Sequence, residues 1–582
     1  MSLGEAAFGP SWLSRRLLGW VWRLEHAFER ARASGRAEDD TRIRIFVVLA
    51  LFSAGFLTLA IGATHAALFS NARGDFITPV GAARADLVDR NGELLAADLL
   101  HYGLYIDPRE IWDTGETRRA LAADLPELTP QRLERALRAG KRTFVIGGLT
   151  PEVRAHIHDL GLPGVSFEPE QKRVYPLGYT AAHLIGFSDT GGEGLAGAEA
   201  AFNDQIRNAA ASQTTIPLSI DLRIQAALED ELYKATAQFK PKGAVGVVVN
   251  VHTGEILGLA SYPTFDPNRP GEASLDARLN RAAGAIYEMG STFKGFTVAI
   301  GLDTKVATPS STFDATHPFQ LGYRTIHDYH ATHKVLTLVE VFQHSSNIGT
   351  ARLAEEIGVD RLSSYFKAFG LTTPAKVELI ETARPLTPRV WNQDAIASTS
   401  FGEGINVSPL ALARAYSGLL NGGELLPLTI RKLPPGTQVH GPRVISQETA
   451  LTLLQIMRSN VTGGSGKSAN VPGLNVGGKT GTGNKWDPSI RKYSKSRQVS
   501  SFAAVFPTDG PLDAPRYFVL VLLDEPQKDK TGLDPTGGIV AAPAVGHVIE
   551  RIAPFLGVRQ RAETHPFAQV AEASPADAGE EH

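Results

Sequence analysis

Serine–lysine pairs with the spacing S-x-x-K are the residues of this sequence that point most directly to chemistry, and two of them lie in helix-like segments. Ser291 precedes Lys294 in EMGSTFKGF, and Ser364 precedes Lys367 in LSSYFKAF. Residues at i and i+3 of a helix are neighbours, so the lysine amine can reach the serine hydroxyl. A serine becomes a nucleophile when a base removes its proton, and a lysine is a base only when its amine is neutral. Either pair could therefore support covalent catalysis.

The surroundings of each pair favour Ser291. Gly290 can form a turn before it, whereas no glycine precedes Ser364. A second cation would help to keep the first lysine neutral, and two K-T-G runs could supply it. Lys479 begins Lys479-Thr480-Gly481-Thr482 after GLNVGG, a context that leads into an edge strand, while Lys530 lies in the polar run DEPQKDKTGLDPTGG. We therefore choose Ser291, Lys294 and Lys479.

A polar S-x-N triplet completes the set, and again two are present. Ser345-Ser346-Asn347 follows the helix-like LTLVEVFQH and precedes IGTARLAEEIG, which places it at a corner between two helices. The alternative, residues 468–470, lies in a glycine-rich loop 11 residues before Lys479. The order Ser291, Ser345, Lys479 defines the predicted site.

One segment predicts a membrane span. Residues 45–68 contain no charge, and 24 residues are enough to cross a hydrocarbon layer about 30 Å thick. Basic residues precede it, which predicts a cytoplasmic N-terminus and a single-pass inner-membrane protein with its catalytic part in the periplasm. These are Arg15, Arg16, Arg23, Arg30, Arg32, Arg36, Arg42 and Arg44. A buried core helix and a cleaved signal peptide are the alternatives, and both fit this length and position less well.

Composition excludes several classes of function. The 582 residues include no cysteine and carry a net charge of -3, which excludes thiolate sites and argues against nucleic-acid binding. No paired histidine spacing indicates a metal, so we expect neither metal nor cofactor.

In the N-terminal tail, apolar residues from Leu13 to Phe28 recur at helical spacing between arginines, as in a helix on an anionic lipid surface or on a partner protein.

The remaining pattern divides the chain into parts. Short strand-like pieces mix with helical ones up to about residue 214, and a larger α+β part begins with an amphipathic helix and a strand pair. The alanine- and proline-rich end indicates disorder. The predicted domains are a cytoplasmic tail (1–44), a transmembrane helix (45–68), an elongated pedestal domain (69–214), a catalytic domain (215–562) and a disordered tail (563–582).

These motifs, in this order, resemble the class B penicillin-binding proteins. RADLVDRNGELLA at 84–96, YPTFDPN at 262–268 and FGEGINVSPLALARAYSGLLNGG extend the likeness over nearly the whole chain. The resemblance implies an α+β fold: a transmembrane helix, a dimerisation-type pedestal, and a transpeptidase domain with a five-stranded antiparallel sheet flanked by helices plus an all-helical subdomain. It also implies a D,D-transpeptidase that cross-links peptidoglycan stem peptides ending in D-Ala-D-Ala and is inhibited by β-lactams.

The resemblance further implies a role for each residue of the site. Ser291 attacks the carbonyl carbon and Lys294 accepts its proton, while Ser345 and Lys479 relay a proton to the leaving D-alanine. Asn347 holds the peptide amide and the lysine. The backbone N–H groups of Ser291 and Thr482 form the oxyanion hole. The implied substrate-binding residues are Ser291, Ser346, Thr480, Gly481 and Thr482.

Within class B, YEMGSTFK and VFQHSSNIGTARLA resemble the septal enzymes of Alphaproteobacteria more than the elongation enzymes. No glycosyltransferase signature follows the predicted span, so the resemblance implies a SEDS-family glycosyltransferase of the FtsW type and other divisome membrane proteins as partners. A catalytically dispensable scaffold for such partners, a β-lactamase, a β-lactam sensor and a simple carboxypeptidase are the competing interpretations. The basic segment 484–497 could guide an anionic glycan or lipid, although a solvated loop is the more ordinary explanation.

Overall fold

The computed structural model describes residues 83–487, 492–530 and 532–567, and, closer to the N-terminus, 48–60 with a few single positions between 22 and 45. Residues 48–60 are helical. No helix within the described residues is long and apolar enough to cross a membrane. The described helix at 48–60 covers the middle of the predicted span at 45–68, whereas most of the predicted disordered tail falls outside the described residues. Both stay predictions.

Residues 83–567 belong to one compact unit. Its N-terminal part is a small domain of mixed strands and helices. Its long strand β2 pairs with β3 on one side and β4 on the other, both antiparallel, while the short β1 joins β2 to β5. Helices α1 to α3 cover one face through a small core that includes Leu104, Leu121, Leu133 and Val145. The strands are Leu87–Val88 (β1), Leu94–Ile106 (β2), Thr143–Leu149 (β3), Val165–Val174 (β4) and Ile216–Pro217 (β5), and the helices are Thr114–Asp124 (α1), Pro130–Leu137 (α2), Pro151–Asp159 (α3), Ala182–Ile185 (α4), Gly197–Ala201 (α5) and Asn203–Ala211 (α6).

A buried ionic network fastens this domain together. Glu199 has no exposed surface and accepts from Arg84 and from Arg173, which lie 89 residues apart in the sequence. Arg173 also pairs with Asp98 on β2 at 3.2 Å. Because buried charges are tolerated only when they are paired and hydrogen-bonded, these four side chains fix how β2, β4 and α5 meet.

The larger part is built on a five-stranded antiparallel sheet in the order β12-β13-β14-β6-β7. The central strands are apolar runs that are covered on both faces, as in YFVLVLLD of β14. Alternate residues divide between two cores: Val519 and Val521 face the helices Leu222–Phe239 and Gly537–Ile552, whereas Leu520 and Leu522 face the helical part of the domain. The strands are Gly243–Asn250 (β6), Ile256–Tyr262 (β7), Thr312–Asp314 (β8), Phe319–Leu321 (β9), Arg324–Ile326 (β10), Val335–Thr337 (β11), Gly477–Asp487 (β12), Lys492–Phe506 (β13) and Tyr517–Asp524 (β14).

Helices cover both faces of this sheet, and one group of them forms a helical subdomain beside β12. The buried helix α15 crosses behind the sheet with all twelve of its residues buried. The helices are Leu222–Phe239 (α7), Leu275–Arg278 (α8), Arg281–Gly284 (α9), Lys294–Asp303 (α10), Leu338–Gln343 (α11), Asn347–Ile357 (α12), Val359–Ala368 (α13), Gln393–Thr399 (α14), Pro409–Leu420 (α15), Gln447–Gly463 (α16) and Gly537–Ile552 (α17). Short 3-10 turns occupy Pro270–Glu272, Gly290–Phe293 and Lys467–Ala469. The predicted α+β architecture and its five-stranded antiparallel sheet are confirmed.

Candidate active site

The turn that carries Ser291 is a 3-10 segment, Gly290–Phe293, which continues directly into α10. Phe293 and Phe296 are completely buried and anchor this turn to the helical core. Ser291 itself remains partly exposed, and its hydroxyl makes no hydrogen bond to any residue in the described part of the chain. The nucleophile predicted from sequence is therefore held by its neighbours while its oxygen stays accessible.

Glycines allow three backbones to meet at this turn. Gly290 has φ +52°, and a Cβ there would overlap the carbonyl oxygen of Thr482 on β12. A Cβ on Gly402 would overlap the carbonyl oxygen of Gly290, and one on Gly481 would come within 2.6 Å of the carbonyl oxygen of Met289. The edge strand β12 can approach Ser291 this closely only because side chains are missing at these positions.

Lys294 lies at the start of α10 with no exposed surface. Its Nζ donates to the Asn347 Oδ1 at 2.8 Å, to the Ser345 Oγ at 3.1 Å, and to the Ser345 carbonyl oxygen. Burial lowers the pKa of Lys294 to about 7, although the negative charges of Asp328 and Glu403 oppose that shift. A pKa lowered toward neutrality makes the neutral amine accessible near pH 7, as a general base requires.

Lys479 is the second buried lysine, and it enters the same cluster from β12. Its Nζ donates to the Ser345 Oγ at 2.9 Å and to the Thr480 Oγ1 at 3.2 Å, and it lies 5.5 Å from the centre of the Phe342 ring. Burial, and then the nearby charge of Lys294, hold the pKa of Lys479 well below its usual range. Two ammonium groups cannot both be charged here at low cost, so each lysine favours the neutral form of the other.

Ser345 joins the two lysines. It lies between α11 and α12 and has φ +57°, a left-handed conformation that side-chain-bearing residues rarely adopt. In this conformation its Oγ accepts a hydrogen bond from each lysine, which leaves the hydroxyl hydrogen available to a third group. A hydroxyl between two amines of lowered pKa can pass a proton from one to the other or to a leaving group.

Asp328 holds the triplet in this position, and this role was not recognised from sequence. Its carboxylate accepts from the Ser346 hydroxyl at 2.7 Å, from the Ile348 N–H at 2.9 Å and from the Asn347 N–H. Ser346 is 2% exposed and caps α12 by accepting from the Gly349 N–H at 3.0 Å. Both hydrogen-bonding directions of the Ser346 hydroxyl are thus occupied within the fold, whereas Asn347 presents its amide oxygen to Lys294.

Comparison with known proteins assigns the chain to a family. The family model described as "Penicillin binding protein transpeptidase domain" matches residues 244–550, and the one described as "Penicillin-binding Protein dimerisation domain" matches residues 79–205. The chain belongs to the class B penicillin-binding proteins. The resemblance inferred from the motifs is confirmed.

Relatives align with this penicillin-binding protein over most of its length. It is 62% identical to the probable peptidoglycan D,D-transpeptidase FtsI of Caulobacter vibrioides over the full length of both chains. It is 30% identical to the peptidoglycan D,D-transpeptidase FtsI of Escherichia coli, with 81% of this chain and 84% of that one covered. A crystal structure of penicillin-binding protein 3 from Mycobacterium tuberculosis, in its apo form, has a TM-score of 0.61 at 25% identity and matches 83% of this chain and 98% of its own.

The threonines that follow Lys479 on β12 lie beside the catalytic cluster in this penicillin-binding protein. The Thr480 Oγ1 lies 2.9 Å from the Ser465 Oγ, and Ser465 is held in turn by Asn460 of α16. The Thr482 Oγ1 accepts from the Gly537 N–H at 3.2 Å, at the N-terminus of α17. The N-terminal end of a 16-residue helix carries a partial positive charge, which favours an anionic group beside Thr482.

The alternative motifs lie elsewhere in this penicillin-binding protein. Ser364 is exposed on α13, where its hydroxyl donates to the Asp360 carbonyl oxygen. Asn470 accepts from the buried Arg458 and belongs to the packing behind β12. Lys530 lies in the loop between β14 and α17. None of the three contacts the network of Lys294, Ser345 and Lys479.

Two further expectations concern metals and the basic segment 484–497. No group of three or more acidic or histidine side chains that could hold a metal ion occurs in the described parts of the chain.

In the basic segment, Lys485 is paired with Asp524 at 2.8 Å and with Glu525 at 2.9 Å, so its charge is neutralised within the fold. Residues 488–491 fall outside the described residues, and a role in guiding anions stays a prediction.

Proposed function

We propose that this chain is a serine D,D-transpeptidase that cross-links peptidoglycan stem peptides through an ester on Ser291. The observation that carries this proposal is the placement of two fully buried lysines on one serine hydroxyl, Ser345, beside the turn that presents Ser291. The names of the relatives, with 62% identity to one of them over its full length, support the same activity.

Acylation uses the groups of this cluster in order. Neutral Lys294 accepts the Ser291 proton as the oxygen attacks the carbonyl between the two terminal D-alanines. The Ser291 and Thr482 N–H groups stabilise the oxyanion. The C–N bond then breaks, and the D-alanine amine leaves with a proton delivered from the Lys479 side through the Ser345 hydroxyl.

Substrate binding and deacylation complete the cycle. The Thr480 and Thr482 hydroxyls, beside the N-terminus of α17, bind the terminal carboxylate of the donor, and Asn347 holds the donor amide. The amine of a second stem peptide attacks the ester, forms the cross-link and returns the proton to Ser291. A β-lactam reacts by the same first step and leaves a slowly hydrolysed ester. Because the Ser346 hydroxyl is already bonded at both ends, we assign it to holding Asn347 in place.

Labelling with a fluorescent penicillin tests this chemistry. The wild type should form a covalent adduct, and Ser291→Ala should form none. Ser364→Ala is the matched control, because it removes the serine of the alternative motif, and it should label like the wild type. Failure of the wild type to label would contradict the proposal, and rapid turnover of penicillin by the wild type would indicate a β-lactamase instead.

We place the activity at the division septum. The name of the Caulobacter relative supports this role over that of an elongation enzyme. A tagged copy should concentrate at mid-cell during constriction, and uniform lateral labelling would favour elongation. If Ser291→Ala restored normal septa to depleted cells, the protein would act there as a scaffold rather than through catalysis.

Membrane anchoring and partners belong to the same proposal. The uncharged run at 45–68 and the preceding arginines support a single-pass inner-membrane protein with a cytoplasmic N-terminus. Such a chain would work with a SEDS-family glycosyltransferase of the FtsW type. Alkaline phosphatase fused after residue 80 should be active, whereas the same enzyme fused after residue 40 should be inactive. The opposite result would overturn the orientation.

A further inference from the structure

The Glu288 carboxyl, three residues before Ser291, connects three segments around the nucleophile. Its Oε1 accepts from the Tyr493 hydroxyl at 2.9 Å and from the Gly404 N–H at 3.1 Å. Its Oε2 is buried and has no hydrogen-bond partner among the described residues. The acylation steps described above do not use this side chain.

Tyr493 lies in a part of the sheet that strand β14 does not reach. Strand β14 pairs with β13 only from Val499 to Phe506, so β12 and β13 continue beyond it as a two-stranded ribbon. A register shift separates Asn484 from Trp486 in this ribbon, and Tyr493 pairs with Trp486 beyond the shift. Because an isolated two-stranded ribbon is marginally stable in water, contacts with the body of the domain stabilise it. These include the pairing of Lys485 with Asp524 and Glu525, and the hydrogen bond from Tyr493 to Glu288.

The ribbon is continuous with the part of β12 that lies beside Ser291. The same β12 that continues into the ribbon carries Thr482, whose backbone carbonyl packs against Gly290. A Cβ on Gly483 would overlap the carbonyl oxygen of Glu288, so the two backbones are in direct contact next to Ser291. Movement of the ribbon would therefore change the distance between Ser291 and the Thr482 N–H.

The charges that face Glu288 come from several elements. Burial raises the pKa of Glu288 to about 7, the Tyr493 hydroxyl and the Gly404 N–H oppose this shift, Glu403 adds to it, and Arg324 of β10 offsets it. Glu403 lies in turn within the influence of Arg324 and Lys294. The carboxyl is thus a hydrogen-bond acceptor for Tyr493 whether or not its second oxygen carries a proton.

We propose that Glu288 is a positioning residue for acyl transfer, which fastens the far end of the β12–β13 ribbon, through Tyr493, to the turn that carries Ser291. Its effect on the reaction passes through the placement of Thr482 opposite Ser291. This inference rests on the proposed acylation of Ser291. It predicts that loss of either partner slows bond formation without weakening the first encounter with a β-lactam.

Stopped-flow acylation with a fluorescent penicillin separates these two steps, since it yields the dissociation constant of the first complex and the saturating acylation rate. Glu288→Ala should lower the saturating rate on the order of tenfold to a hundredfold, because misplacement by about 1 Å has effects of this size. Tyr493→Phe should lower it in the same direction. Glu288→Gln keeps an oxygen acceptor for both donors and should restore most of the rate.

The double variant Glu288→Ala with Tyr493→Phe should be no slower than Glu288→Ala alone, because both changes break one link. Tyr365→Phe is the matched control: its hydroxyl donates to the Asp303 carboxylate at 2.7 Å within the helical subdomain, so its loss should leave the acylation rate unchanged.

Wild-type rates in both Glu288→Ala and Tyr493→Phe would overturn the inference while leaving the proposed function intact. Additive losses in the double variant would also overturn it. A wild type that forms no adduct would instead contradict the proposed function. Tyr493→Phe keeps the test decisive if Glu288→Ala fails to fold, because its ring is partly exposed and only the hydroxyl is removed.

Discussion

Asn347 and Lys294 are joined by a hydrogen bond of 2.8 Å, in which the amide oxygen accepts from the buried ammonium group. Asn347→Asp would place a carboxylate of the same shape at this point. A negative charge there stabilises protonated Lys294 and raises its pKa. We expect acylation at pH 7 to fall about fivefold for a pKa rise of one unit and about tenfold for each further unit, and to recover at higher pH. A pH–rate profile that matches the wild type would contradict this expectation.

The wild-type enzyme should itself show a pH dependence set by Lys294. The pKa of this lysine is lowered to about 7, so the neutral, basic form gains as pH rises through that value. The rate of acylation by penicillin should therefore increase from pH 6 to pH 8, with its midpoint near 7. Measurement of the saturating acylation rate across this range shows whether the rate rises or falls with pH. A rate that falls with rising pH would exclude Lys294 as the base.

Gly290→Ala should nearly abolish labelling. The new Cβ would overlap the Thr482 carbonyl oxygen, and φ +52° is itself unfavourable for alanine. Gly178→Ala is the control, because Gly178 has φ +56° but open space around its Cβ position. Both variants bear a similar backbone cost of about 1 kcal/mol, so a difference in labelling reports the lost space beside Ser291. Equal labelling would show that β12 can move away without consequence.

Removal of the Asp328 carboxylate should reduce both stability and acylation. Asp328→Ala leaves the Ser346 hydroxyl and the N–H groups of Asn347 and Ile348 without an acceptor. Hydrogen bonds to charged groups contribute about 1.5 to 3 kcal/mol, so the free energy of unfolding should fall by about 3 kcal/mol in urea titrations. Asp328→Asn keeps one acceptor and should lose less on both measures. If the Asp328→Ala variant folded and kept full activity, Asp328 would not be needed to hold the site.

The sequence predicted the parts of the site that depend on local pattern. The i, i+3 spacing after a glycine turn placed Ser291 and Lys294, and the polar corner between two apolar helices placed Ser345. The choice of Lys479 over Lys530 followed from strand-like and loop-like surroundings, and the structure has Lys479 on β12 and Lys530 in a loop. Periodicity carries such information because it depends on the residues nearest in sequence.

Contacts between distant segments could not be predicted in the same way. Asp328 holds Ser346 from a loop 18 residues earlier, and Tyr493 reaches Glu288 across 205 residues. The left-handed backbone of Ser345 also carries no sequence signal, because serine seldom adopts it and tertiary packing imposes it here. The assignment of Ser346 to substrate binding came from its motif, whereas burial and helix capping depend on the folded corner.

The glycine contacts around Ser291 limit how this enzyme can evolve under antibiotic selection. Any side chain at Gly290, Gly402 or Gly481 would collide with neighbouring backbone or with a packed side chain, so a substitution that excludes a drug there would also disable the enzyme. Adaptive substitutions are therefore expected where space exists, in loops that lack such close backbone contacts. A library of single substitutions selected on a β-lactam should recover such loop variants and should contain none at these three glycines.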